Sequence, residues 1–139
     1  MLVRTALALA GLTLVLVASR GDVALAAKPD RYSSSSIVLV LLNAPGTTAA
    51  TEPRYGDQVT FSVSTQATAY PYVNLKCYQD GALVGEGWAG FFYGALGDQV
   101  FTLWSPQWIG GAADCTAWLT MYANGKWRQL ASTSFHVDP

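Results

Sequence analysis

The chain has 139 residues, a formal net charge of −1 and a single histidine, and only 12% of its residues are charged. This length fits one compact domain. A chain so close to neutral lacks the basic surface with which proteins bind nucleic acids, so a nucleic-acid partner is not expected.

The first 26 residues have the pattern of a secretory signal peptide. Arg4 precedes the apolar run 6–18, and Ala24 and Ala26 supply the small residues of a cleavage site. The run is shorter than the roughly 20 residues that span a bilayer, so an uncleaved membrane anchor is the weaker alternative. The sequence predicts an extracellular protein that is no longer bound to the membrane, cleaved after Ala26 or, as the weaker alternative, after Ser19.

A leader and a first strand are predicted at 27–54, before the main domain at 55–139. The serine-rich stretch 28–36 favours a flexible segment. The β-branched run 37–42 predicts a short strand that is either buried on both faces or placed at a sheet edge. Residues 43–54 contain two prolines and predict a loop.

From Gly56 onward, apolar and polar residues alternate with the two-residue period of β-strands. The alternation is clear in four runs and shorter in two more, which predicts strands at 57–66, 72–79, 82–84, 99–104, 114–122 and 127–137. The residues expected to face the core are Val59, Phe61, Val63, Val73, Leu75, Cys77, Cys115, Ala117, Leu119, Met121, Thr133, Phe135 and Val137.

Two dipeptides between these runs predict hairpin turns. Asp80-Gly81 and Asn124-Gly125 suit a type I′ turn, which needs positive φ at both central residues. The glycine- and aromatic-rich segment 85–97 has no regular pattern. About seven short strands with no helical periodicity predict an all-β fold, an antiparallel β-sandwich.

Cys77 and Cys115 are the only two cysteines. Behind an export signal they are expected to form a disulfide, and both lie on the apolar side of their strands. Such a bridge would stabilise the fold by about 3 to 4 kcal/mol. A pair of buried free thiols is the alternative.

Several runs resemble a known family when read in order: YGDQVTFSVS, YVNLKCYQDGALV, GGAADCTAWLTMY and LASTSFHV. They resemble the secreted immunoglobulin-like domain of actinobacterial and actinophage proteins, over about 55–137. The resemblance implies an immunoglobulin-like sandwich in an exported adhesion, display or accessory module without catalytic residues. No tryptophan stands between the cysteines at antibody spacing, and Cys77 follows two strands. Whether the disulfide crosses between sheets or joins neighbouring strands therefore stays open.

The titratable side chains do not form a reactive set. His136 is expected to face solvent near the end of the last strand. The acids are scattered singly, and a converging pair of Glu86 with Asp98 or with Asp114 is disfavoured. One histidine and scattered acids cannot supply a zinc or calcium site. The sequence predicts a protein that is not an enzyme and that binds no metal or cofactor.

The first candidate binding surface is on the outward side of strand 114–122. Trp118 and Tyr122 stand about 13 Å apart there, and Asn74, Lys76 and Tyr78 join them if strand 72–79 is adjacent. A flat aromatic platform suits stacking on sugar rings or docking on a protein. The alternative is that these rings only cover the sheet.

A second aromatic cluster is expected from the loops 85–97 and 105–112. Its members are Trp88, Phe91, Phe92, Tyr93, Trp104 and Trp108. It forms either a satellite core or a recognition surface, in which Trp88 and Trp108 would take part.

These features predict a secreted, non-enzymatic module that binds a protein or a cell-surface glycan, of unknown oligomeric state. The alternative is a carrier that holds an apolar small molecule in a cleft lined by Trp88, Phe91 and Phe92, or a protease inhibitor that inserts a loop.

Overall fold

The computed structural model describes residues 34–42 and 52–139, which form seven β-strands and no helix. The strands are β1 (Ser36–Leu41), β2 (Gln58–Ser64), β3 (Tyr72–Gln79), β4 (Ala82–Gly90), β5 (Phe101–Thr102), β6 (Ala113–Ala123) and β7 (Lys126–Val137). The predicted signal peptide, most of the predicted leader and most of the loop 43–54 lie outside the described residues. The described part of the chain has no helix long and apolar enough to cross a membrane.

The strands form two antiparallel sheets. One has the order β1-β2-β5 and the other the order β4-β3-β6-β7. The prediction of an all-β sandwich of about seven strands is confirmed.

The core lies between the sheets and follows the predicted alternation. Val59, Val73, Ala117 and Leu119 are fully buried. The ring of Phe61 packs edge to face on Phe101 of the same sheet at a centroid distance of 5.5 Å. Expected core positions of β2, β3 and β6 thus face the opposite sheet, as polar neighbours turn outward.

Both predicted hairpin turns are confirmed. Asp80 and Gly81 have φ of 49° and 80°, and Asn124 and Gly125 have φ of 53° and 74°. These left-handed pairs join β3 to β4 and β6 to β7, and match the twist of the flanking strands.

The fourth strand is longer than the sequence predicted. It was expected to end at Val84, but β4 continues through the glycine-rich segment to Gly90. An added Cβ at Gly87 would lie 2.8 Å from Phe101 Cδ1, and one at Gly85 would lie 3.6 Å from Trp108 Cε3. Aromatic rings from other elements fill the space that inward side chains of β4 would occupy, so the strand lacks the expected alternation.

Two other strand predictions are corrected. The first strand is not buried on both faces; β1 is the edge of its sheet, with Val38 and Val40 exposed on the outer side. Strand 99–104 is reduced to β5, which pairs only with Gln58 and Val59 of β2. The edge alternative stated for the first strand is the correct one.

Each hairpin of the four-stranded sheet contains a β-bulge. In the first, Cys77 pairs with Gly85 and Tyr78 with Leu83, so Val84 is the extra residue. In the second, Leu119 pairs with Ala131 and Thr120 with Gln129, so Leu130 is extra. Each bulge reverses which positions of the longer strand face the core.

The predicted disulfide is present and joins neighbouring strands. Cys77 of β3 is paired directly with Cys115 of β6, and their Cα atoms are 4.0 Å apart. Both residues are buried. The bridge therefore lies within one sheet and does not connect the two layers.

Candidate functional site: an outer aromatic patch and a cleft beside β4

The outer face of the four-stranded sheet carries a continuous cluster of aromatic side chains, here called the outer aromatic patch. Its members are Tyr70, Tyr72, Trp88, Phe92, Tyr122 and Trp127. The ring of Trp127 is central, with centroids 5.1 Å from Trp88, 5.3 Å from Tyr122 and 5.4 Å from Tyr72. Phe92 extends the cluster from Tyr72 to Tyr70.

Much of this patch is open to solvent. Trp88 and Trp127 are each 50% exposed, Tyr122 is 60% exposed and Tyr70 is 64% exposed. The rings pack mainly edge to face, and the planes of Tyr72 and Trp127 are 88° apart. The patch is an interlocked, uneven cluster, and of the residues predicted to form a flat platform only Tyr122 is one of its members.

Trp127 was not among the predicted site residues, because strict alternation through Thr133 and Phe135 places it on the core side. The bulge at Leu130 shifts the register, so Trp127 pairs with Tyr122 and faces outward. The Asn124-Gly125 turn was the available signal, since a two-residue hairpin loop sets residues 122 and 127 opposite each other.

The patch covers two buried polar side chains on the outer face. Asn74 is paired with Trp88 and donates its side-chain N–H groups to Glu86 Oε1 (3.1 Å) and to the Gly87 carbonyl (3.3 Å). Thr120 donates its hydroxyl to the Tyr72 carbonyl at 3.2 Å. Because both side chains have partners, their burial under the rings carries little penalty.

Glu86 fixes one edge of the patch. Its Oε1 accepts a hydrogen bond from the Trp88 indole N–H (3.3 Å) and lies 3.6 Å from Lys76 Nζ. The hydrogen bond from Asn74 is the main cause that lowers the pKa of Glu86; Lys76 and Trp88 act in the same direction, and desolvation opposes them. A carboxyl held in its ionised form is unsuited to the role of a general acid.

The other predicted surface residues share this face but not the aromatic contacts. Trp118 is half-buried in the same cross-strand row as Trp88, separated from it by Asn74. Lys76 lies one row away, opposite Glu86, and Tyr78 lies a further row away, opposite Asp114. Of the predicted set, Trp88 and Tyr122 join the patch, and Trp118, Lys76 and Tyr78 flank it.

Trp108 is not a surface residue, contrary to its prediction as a binding residue. It is only 1% exposed, and its indole N–H donates to the Gly111 carbonyl at 3.1 Å. Tyr55 packs edge to face on it and donates its hydroxyl to the Trp108 carbonyl at 2.9 Å. A loop tryptophan can fill the interior as easily as it can form a surface, and here Trp108 joins the main hydrophobic core, whereas Trp88, Tyr93 and Trp104 of the same predicted cluster are exposed.

A cleft of about 360 Å³ lies between β4 and the segment 96–105, here called the β4 cleft. Its floor includes the buried side chains of Leu75, Phe101 and Trp108, and Trp88 and Trp104 stand at its rim. The cleft predicted for a small-molecule carrier also included Phe91 and Phe92. These two do not line it, because Phe91 packs towards the core and Phe92 belongs to the outer aromatic patch.

Of the carboxylates considered from the sequence, Glu86 and Asp98 lie at one cleft and Asp114 lies elsewhere. Glu86 and Asp98 both line the β4 cleft, but Glu86 is engaged on the outer face. Asp114 lies elsewhere and accepts a hydrogen bond at 2.8 Å from His136 Nδ1, on the outward side where His136 was predicted. Within residues 34–42 and 52–139, no three His, Cys, Asp or Glu side chains come together as a metal site.

Compared with known proteins, the chain matches no protein-family model and no curated protein.

Proposed function

We propose that the protein is an exported, non-enzymatic binding module that recognises a protein surface through the outer aromatic patch. The observation that carries the proposal is the contact of Trp88, Tyr122 and Trp127, three rings at least half exposed on one sheet face. Tryptophan and tyrosine dominate the hot spots of protein interfaces, and a clustered apolar surface of this kind usually marks an interaction site.

The shape of the patch favours a protein over a glycan as partner. Trp127 meets Tyr122 at an interplanar angle of 61°, so the two rings do not form one flat surface on which successive sugar rings of a glycan chain would lie. The polar groups beneath, on Asn74 and Thr120, are already hydrogen-bonded within the protein. An uneven apolar surface with few free polar groups is better matched by protein side chains.

Two further points support an exported immunoglobulin-like module. A disulfide between Cys77 and Cys115 persists in oxidising compartments. The fourth strand pairs with the third, as the added strand of variable-type immunoglobulin domains does, whereas constant-type domains place it beside the fifth. The intra-sheet disulfide differs from the antibody pattern, in which the bridge links the two sheets.

Matched affinity baits test the proposal. Wild type, a Tyr122→Ala/Trp127→Ala variant and a Val38→Ala control are immobilised and exposed to extracellular and cell-surface proteins of the producing cells, and in parallel to cellulose, chitin and peptidoglycan. Val38 is an exposed apolar residue of the other sheet. We expect a protein that wild type and the control retain equally, with a dissociation constant raised at least about 30-fold by the patch variant.

Equal retention on all three baits contradicts the proposal, as does retention of a polysaccharide alone. Thermal unfolding of each bait shows that any loss of binding is not a loss of folding.

The carrier alternative has weaker support. The β4 cleft is open at its rim, where Leu96 is almost fully exposed, and two of its three expected lining residues are elsewhere. Small-molecule sites usually bury most of the ligand surface.

A further inference from the structure

The strand β4 is at the edge of its sheet, and its free hydrogen-bonding edge, opposite β3, faces the β4 cleft. It pairs with β3 on one side, and it has no strand partner on the other side within the described residues. An open sheet edge presents backbone donors and acceptors that an added strand can pair with.

Hydrogen bonds on either side of β4 show which of its backbone groups face the cleft. The Phe91 N–H donates to the Pro71 carbonyl next to β3, whereas the Gly90 carbonyl accepts from the Gln99 side chain on the opposite side. Because backbone groups alternate in direction along a strand, Glu86 and Trp88 point theirs in the same direction as Gly90. These N–H and C=O groups have no partner among the described residues.

Both ends of this free edge are already satisfied by the segment beyond the cleft. Gln99 Nε2 bonds the Gly90 carbonyl at 3.1 Å, and the Ser105 hydroxyl bonds the Val84 carbonyl. Between these two anchors, Glu86 and Trp88 retain a pair of donors and a pair of acceptors about 7 Å apart. An extended peptide backbone has the same spacing.

The space beside this edge is elongated. The β4 cleft has a volume of about 360 Å³, and a second depression of about 370 Å³, lined by Leu83 and Gln107, continues along the same strand past Ser105. The first depression has an apolar floor that suits one apolar side chain. Asp98 and Glu86 line it without any lysine, arginine or histidine, and Asp98 forms no ion pair with a described residue.

We propose that the free edge of β4 binds an extended segment of a partner protein by β-strand addition. Main-chain hydrogen bonds to Glu86 and Trp88 align the segment, an apolar side chain enters the β4 cleft, and a lysine or arginine lies near Asp98. This site goes beyond the outer aromatic patch, because it uses the backbone edge of β4 and not the exposed rings on the sheet face.

Random heptapeptides displayed on phage and selected on the full chain provide the probe. We expect enriched sequences that combine apolar residues with a lysine or arginine. Peptides synthesised from the enriched sequences should bind the Val38→Ala control, altered on the other sheet, as well as wild type. Glu86→Pro removes the Glu86 backbone N–H and places a ring at the edge, so affinity should fall at least about tenfold.

Amide exchange in wild type and peptide binding by two further variants complete the test. In wild type, exchange of the Glu86 and Trp88 amide protons should slow when peptide is added, which does not depend on whether the proline variant folds. Asp98→Asn should weaken the basic peptides, whereas Trp127→Ala should bind them normally, so that failure of this site is distinguishable from failure of the patch.

The proposal is overturned if no peptide is enriched, if Glu86→Pro binds the peptides as tightly as wild type and Val38→Ala, or if amide exchange at Glu86 and Trp88 is unchanged. Binding that disappears in Trp127→Ala would assign the peptides to the outer aromatic patch instead, and would also overturn it.

Discussion

Gly85 and Gly87 occupy neighbouring inward positions of β4, but they differ in the space around them. A Cβ at Gly87 would meet the Phe101 ring at 2.8 Å, whereas a Cβ at Gly85 would make an ordinary contact with Trp108 at 3.6 Å. We expect Gly87→Ala to lower the free energy of unfolding by about 1 to 3 kcal/mol through overpacking. The matched Gly85→Ala variant should be neutral or slightly stabilising, since glycine is unfavourable inside a strand. Urea unfolding of both variants measures the difference, and equal stabilities would contradict this account of the glycine-rich strand.

His136 provides a pH-dependent prediction. Its hydrogen bond to Asp114 is the main cause that raises the pKa of His136; the charges of Asp114, Glu52 and Asp138 add to it, and desolvation opposes it. We expect a titration midpoint above 6.5, measured by NMR of the imidazole protons. Because the pKa is higher in the folded state, the pair stabilises the fold fully below the unfolded pKa, and this contribution is lost as pH rises through the folded pKa.

Asp114→Asn removes the charge but keeps a hydrogen-bonding side chain, and should bring the His136 midpoint down towards its ordinary value. A midpoint that does not change in this variant would show that Asp114 is not the cause.

Single residues also mark the limit of sequence reasoning. The pairing of Cys77 with Cys115 could be predicted because these are the only cysteines behind an export signal. The burial of Trp108 could not, because a tryptophan in a loop gives no periodic signal and its environment is set by Tyr55, which is distant in sequence.

Among the elements, β3 and β6 are linked three ways: by strand pairing, by the disulfide and by shared core packing. The bridge joins residues 38 positions apart and restricts the unfolded chain. Replacing Cys77 and Cys115 together by alanine should lower the free energy of unfolding by about 2 to 4 kcal/mol. Urea unfolding of the double variant, with reduced wild type as a second sample, measures the loss. Unfolding curves that coincide with oxidised wild type would show that strand pairing alone holds β3 to β6.

The strands that were predicted well are those that alternate cleanly, such as β2, β3 and β6. The strand β4 was cut short because its inward positions are glycines, and Trp127 was missed because one extra residue, Leu130, reverses the alternation of β7. A bulge is visible only through the register of the partner strand, which local sequence does not encode.

At the scale of the whole molecule, composition and periodicity were enough to predict a two-layer antiparallel sandwich. The Asp80-Gly81 turn predicts the pairing of β4 with β3, but composition and periodicity could not predict that β6 lies on the other side of β3, because that pairing joins residues distant in sequence. Both proposed surfaces depend on this order: it brings Trp88 into the outer aromatic patch, and it leaves one edge of β4 open to the cleft.

The position of the disulfide has a consequence for the two layers. With both cysteines of the chain used inside the four-stranded sheet, no sulfur atom ties that sheet to the three-stranded one. On one flank β1 lies beside β7, and on the other the Phe101 ring packs against Gly87 of β4 while Gln99 and Ser105 hydrogen-bond the two ends of that strand. Contact between the two layers thus depends on side-chain packing and these hydrogen bonds, with no covalent crosslink between the sheets in the described part of the chain.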